Sequence, residues 1–343
     1  MSILLAGDVV TPSGWVMLIA LSAAAIVALQ RSGVFGKRDV PSIGKLFRPL
    51  PVGPLVYNAG LAIFVYVAAA LAIGMALRMA GKIDTSSNAE QTMSPGVLIL
   101  FSVVVPMITL LGLLFGLRFI VPGGPPRLGL TREQLGRAFL PAAGFVLAAM
   151  PFIFLIANAA EWIYERVGWQ HDTEHPLLTS MGASGGLIEK VCGVLAAVVL
   201  APLSEEILFR GHLQTVLRHL FSPKQPASPA VIEAMSPVPS PSEADALAPI
   251  FNPPPAPPGS DSFPSPIIPN AKFTIASIAA VLMTSTIFAW IHPDWSRPPI
   301  FVLAVFLGLA YERRGNLWTC IFMHALFNGI MVTLFLFMAH RAA

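Results

Sequence analysis

The sequence predicts an all-α polytopic membrane protein of about eight transmembrane helices, interrupted by a proline-rich, disordered cytoplasmic insert. Three observations predict it. Hydrophobic residues make up 55% of the chain and charged residues only 11%, with a mean hydropathy of +0.72, whereas a soluble domain carries about 25% charge. The apolar residues gather in runs long enough to cross a bilayer as helices. The charges fall between those runs, and basic loops alternate with neutral or acidic ones. The net charge is +3 and no polybasic tract occurs, so the basic residues report topology and no nucleic-acid partner is expected. Cys192 and Cys320 lie inside apolar runs without CxxC or zinc spacing. They read as small buried residues.

The first run, Trp15 to Leu29, follows Asp8 with no preceding Lys or Arg, the wrong flank for a cleaved signal peptide, so it reads as a retained helix. The next loop carries Arg31, Lys37, Arg38, Lys45 and Arg48 against Asp39 alone. The positive-inside rule places that loop in the cytoplasm and the N-terminus outside. A second span covers Leu55 to Met79, and Gly81 to Ser94 suits an external loop. The third span, Val97 to Ile120, leads into Pro122 to Arg137, where Thr131 can cap a short interfacial helix. The fourth, Phe139 to Ala160, contains Pro141 in its first turn and Pro151 in its middle, which predicts a kink near Pro151. An acidic external loop follows with Glu161, Glu165, Asp172 and Glu174.

The fifth segment starts near Leu187, carries Glu205-Glu206 and Arg210, and continues as an amphipathic stretch to Leu220. An unbroken helix puts the carboxylates about 22 Å from its cytoplasmic end, within the membrane. Ser222 to Asn270 has Pro253-Pro254-Pro255, Pro257-Pro258 and no helical period, so it reads as disordered or polyproline-like. The sixth span is Phe273 to His292, the short seventh is Ile300 to Tyr311 before Glu312-Arg313-Arg314, and the eighth is Leu317 to Met338. The domain division follows: 1–138, N-terminal membrane helices and interfacial segment; 139–221 with 272–343, the membrane domain that carries Glu205-Glu206; 222–271, the insert.

Charge inside a bilayer costs several kcal/mol, so Glu205 and Glu206 mark a functional site by default. On a helix Glu206 and Arg210 are i,i+4 neighbours, and Glu205 projects about 100° away. The bland alternative is that both carboxylates are solvated where the helix leaves the lipid. Against it stand two further polar groups on apolar segments: Phe288 with His292, and His324 with Asn328.

These residues resemble the CPBP (CAAX protease and bacteriocin-processing, or Abi) intramembrane peptidases, which include the Rce1-type prenyl-protein endopeptidases. The pattern EExxxR, FxxxH, HxxxN occurs here in order as Glu205-Glu206 with Arg210, Phe288 with His292, and His324 with Asn328. Gly308 to Trp318 also matches the family's approach to its last histidine. The resemblance covers Leu187 to Leu336. It implies a membrane endopeptidase acting on membrane-associated or lipidated protein substrates, resident in the lipid bilayer of a bacterial inner (plasma) membrane. By resemblance, Glu205 is the general base with His292 helping to hold water, His324 and Asn328 stabilise the oxyanion, and Glu206 with Arg210 supports them.

No cofactor is firmly implied. A zinc ion held by Glu205, His292 and His324 stays open beside a metal-independent glutamate mechanism, which the reading favours. The absence of HExxH and GxGD argues against zincin-like and presenilin-like chemistry. His212 shares the face of Glu205 but lies outside the pattern, and is not read as catalytic. Two rivals remain. One is a non-enzymatic immunity or scaffolding protein on the same fold. The other is a rhomboid-like serine protease using Ser184 of the string Gly182-Ala183-Ser184-Gly185.

Overall fold

The computed structural model describes residues 12–31, 52–81, 95–171, 178, 181, 186–222 and 274–342, and all regular structure among them is helical. The helices are α1 (Pro12–Arg31), α2 (Val52–Met79), α3 (Pro95–Phe119), the short α4 (Arg132–Gly136), α5 (Phe139–Val167), α6 (Leu187–Phe221), α7 (Ile275–Trp290), α8 (Arg297–Arg314) and α9 (Leu317–Ala342). The basic loop from Lys37 to Arg48, the GxSG string with Ser184 and the insert after Ser222 lie outside the described residues.

Each apolar run expected to span the membrane forms a helix. Six of them, α1, α2, α3, α5, α6 and α9, are long and apolar enough to cross a bilayer. The other two differ from the expectation. α7 is apolar but only 16 residues long, because Thr274 starts it by accepting from the backbone N–H of Ser277. α8 is longer than the predicted Ile300 to Tyr311. Prolines in its first turn cost no hydrogen bond, and Gly315, at φ 56°, ends it with its N–H on the Tyr311 carbonyl. The interfacial turn forms as expected, with Thr131 Oγ1 accepting from the N–H of Gln134.

α6 is the axis of the bundle, with α2, α3, α7, α8 and α9 packed along it, while α5 backs α8 and α9 and carries α1 on its outer side. The close approach of α1 to α5 rests on Gly144, whose Hα faces Leu29, and on Ser22 Oγ donating to the Leu147 carbonyl. α2 buries one stripe, Leu55, Asn58 and Ala62, and turns its other faces outward, as a lipid-facing helix must. Beside α4, Gly129 adopts φ 81° and meets the turn between α8 and α9 so closely that a Cβ would overlap the Gly315 carbonyl. Asn316 Nδ2 then donates to the Gln134 carbonyl at 3.1 Å. This seam fixes where α9 begins, and so the height of His324.

α6 is not a regular α-helix. Residues 196–200 and 207–214 form π turns on either side of Glu205-Glu206. The first has a cause in the sequence. Pro202 has no N–H, so an α register would leave the Val198 carbonyl without a backbone partner. With Ala201 N–H bonded to Ala196 O, the register is five residues and the deficit moves to Ala197. Asn328 Nδ2 donates to that Ala197 carbonyl at 2.8 Å.

Candidate active site

Glu206 and Arg210 are both fully buried, and Arg210 Nη1 donates to Glu206 Oε1 at 2.9 Å. Their i,i+4 spacing brings them together. Two other helices then hold the guanidinium, since Nη2 donates to the Ala304 carbonyl of α8 at 3.1 Å and Cζ lies 4.6 Å from the Phe288 ring centroid. Phe288 is itself clamped edge-on by Phe209. The Phe of the second motif therefore faces the Arg of the first as a cation–π partner, which softens the cost of burying the charge.

Glu206 Oε1 accepts a second hydrogen bond, from His324 Nδ1 at 2.8 Å. The carboxylate only accepts, so Nδ1 carries a proton and Nε2 is the atom turned to the site. That Nε2 lies 4.0 Å from Glu205 Oε2. Glu205 retains 26% of its side-chain exposure against none for Glu206, and its Oε2 has no hydrogen-bond partner among the described residues. The adjacent carboxylates thus occupy different environments: one neutralised and sealed, the other open to a cavity.

The cavity is about 480 Å³, and Glu205, His292, His324 and Asn328 are all on its lining. His292 follows the C-terminus of α7, and its Nδ1 donates to the Phe288 carbonyl at 2.6 Å, leaving Nε2 as an acceptor. The rest of the lining is mainly apolar, with Phe101, Val105 and Pro106 of α3, Phe327, Met331 and Phe335 of α9, and Ala196, Ala197 and Ala201 of α6, beside Tyr66, Ser102 and Ser296. Walls from both sides of residue 138 therefore form one chamber.

The four residues expected to carry chemistry converge on this cavity, and Glu206 with Arg210 sits behind it. Asn328 has one donor committed to Ala197, leaving its second N–H for the cavity. His212 departs from the expectation. The π turn at 207–214 rotates it away from the face of Glu205, and it bonds to Asn58 of α2 instead. Asn58 escaped the sequence reading, although a lone Asn in an otherwise apolar run was a usable signal. No three His, Cys, Asp or Glu side chains among the described residues are grouped to hold a metal ion. Glu205, His292 and His324, the residues considered for zinc, form no such group as placed.

Residues 188–236 and 267–330 match the family model described as Type II CAAX prenyl endopeptidase Rce1-like. In these segments, about a third of the chain, it is similar to the Rce1-like family. The matched segments contain α7 and α8, most of α6, and α9 through both of its motif residues. They hold Glu205, His292, His324 and Asn328, while α2 and α3, which complete the walls, lie outside them. No curated protein and no solved structure gave a match.

Proposed function

We propose that this protein is an intramembrane endopeptidase that hydrolyses peptide bonds of membrane-associated or lipidated proteins by a glutamate mechanism. The observation that carries the reading is the pairing of a carboxylate oxygen without a hydrogen-bond partner among the described residues, Glu205 Oε2, with His292, His324 and Asn328 on the lining of one mainly apolar cavity. A carboxylate that lines such a cavity is placed to take a proton from water. In this reading the water sits by Glu205, with His292 Nε2 accepting its second hydrogen.

As the water oxygen attacks the scissile carbonyl carbon, its proton passes to Glu205. Negative charge then builds on the carbonyl oxygen. In this reading His324 Nε2, on a ring anchored through Nδ1 to Glu206, and the second N–H of Asn328 face that oxygen as its donors. When the C–N bond breaks, the leaving amine takes the proton held by Glu205, and the products are a carboxylic acid and an amine. Glu206 and Arg210 act behind the site, fixing the ring of His324 and holding the local charge constant. The apolar walls suit the apolar part of a substrate that remains in the membrane.

Comparative proteomics of membrane peptides from cells carrying wild type or Glu205→Ala tests this function. A set of membrane proteins that accumulates uncleaved only in the variant supports it. Identical peptide sets would favour a non-enzymatic scaffolding role on the same fold.

A further inference from the structure

Asn58 and His212 are both buried deep in the bundle, and neither lines the cavity. Asn58 Nδ2 is 2.9 Å from His212 Nε2, and His212 Nδ1 is 2.7 Å from the Ile207 carbonyl oxygen. The roles follow from chemistry. A carbonyl can only accept, so Nδ1 carries the proton, Nε2 of the neutral ring presents a lone pair, and the Asn58 amide donates to it. α3 leaves room for this contact at Gly116, where a Cβ would overlap the Asn58 amide. An Asn on a lipid-facing helix, a His on the helix of the carboxylates and a Gly on a third helix thus make one polar clasp.

The clasp acts on the π turn of residues 207–214. His212 reaches back five residues to Ile207, and Thr215 Oγ1 reaches back five to the Arg210 carbonyl at 3.1 Å. Five residues is the π repeat, and both bonds give side-chain donors to carbonyls of the widened turn. From the last residue of the turn onward α6 is pinned to α8, with Gln214 Nε2 donating to the Gly308 carbonyl at 3.1 Å and Arg218 paired with Glu312 at 3.1 Å. Relaxing the turn to α register would rotate the two halves of α6 by about 100° relative to each other. With the far half pinned, the half that carries Glu205 and Glu206 would turn away from Arg210 and His324.

We propose that His212, held by Asn58, is a positioning residue that maintains this π turn, so that the N-terminal helices set the geometry of the catalytic groups. The predicted effect on turnover rests on the peptidase function proposed above, whereas the effect on the helix does not. The test uses the full chain purified in detergent as wild type, His212→Phe, His212→Asn, Asn58→Leu and the double variant Asn58→Leu/His212→Phe. Each is measured for kcat, KM, thermal stability and hydrogen exchange.

His212→Phe should lower kcat by about 10- to 100-fold, as small misplacements of catalytic groups do, with KM within about twofold because no cavity wall changes. His212→Asn, which keeps a donor for Ile207, should recover most of that loss. The double variant removes both buried polar partners, so its stability should return toward wild type while kcat stays low. Exchange should accelerate at the amides of 207–214 in His212→Phe and in the double variant. Recovery of kcat together with stability in the double variant, or unchanged exchange at 207–214, would overturn the proposal. Absence of hydrolysis by wild type would instead count against the peptidase reading, and the exchange data would still decide whether His212 holds the turn.

Discussion

Glu206→Gln is the substitution whose cost the structure specifies best. Glu206 Oε1 accepts from Arg210 Nη1 at 2.9 Å and from His324 Nδ1 at 2.8 Å, with Glu206 and Arg210 fully buried and His324 at 4% exposure. The amide keeps the shape and an acceptor oxygen but removes the negative charge that Arg210 pairs with among the described residues. Breaking a buried pair from one side costs about 3–5 kcal/mol, because the remaining charge stays desolvated. The Phe288 face and the Ala304 carbonyl stay with the guanidinium in both proteins and so cancel in the comparison. A loss of about 3–5 kcal/mol is therefore expected. Equilibrium unfolding of purified protein in mixed micelles, followed by tryptophan fluorescence, measures it. In the double variant Glu206→Leu/Arg210→Met both charges are gone, and stability should return to within about 1 kcal/mol of wild type, because buried pairs contribute little beyond their apolar replacements. Glu206→Gln unfolding within about 0.5 kcal/mol of wild type would refute the reasoning, since no buried ion pair could then be present.

Asn328→Ala removes the donor of the Ala197 carbonyl beside Pro202 and a cavity N–H at once, so turnover should fall by about 10² to 10³, as for other oxyanion donors, with a stability loss of about 1–2 kcal/mol; kinetics and unfolding on one preparation check both. Gly129→Ala should destabilise by more than about 1 kcal/mol, since φ 81° strains an L residue and its Cβ meets the backbone of Gly315 and Asn316; loss of folded yield in detergent is the readout. The proposed orientation places the insert in the cytoplasm, so a cysteine replacing Ser240 should resist impermeant reagent added to intact cells and react after lysis.

The helices were legible because the bilayer demands long apolar runs and alternating loop charge, and such signals survive without any knowledge of packing. The grouping of Glu205, Glu206, Arg210, His292, His324 and Asn328 was legible for the same reason: polar residues inside apolar runs are costly enough to be conspicuous. Their wiring was not. An i,i+4 count pairs Glu206 with Arg210, yet it cannot show that the same oxygen also holds His324, because that contact joins α6 to α9. Likewise, helical-wheel geometry put His212 on the face of Glu205, and the π turn moved it. Pro202 carried a sign of the first π turn through its missing N–H, but the compensating donor, Asn328, lies 131 residues from Ala197.

Glu205 is proposed as the proton acceptor of a peptide hydrolysis, and turnover by purified Glu205→Gln in liposomes, on a substrate identified by the proteomic comparison, tests that role most directly. Turnover should fall by at least about 10² to 10⁴ with folding intact, as expected when a general base is lost. Undiminished hydrolysis by Glu205→Gln would contradict it, as would loss of hydrolysis in Ser184→Ala with fluorophosphonate labelling of wild type.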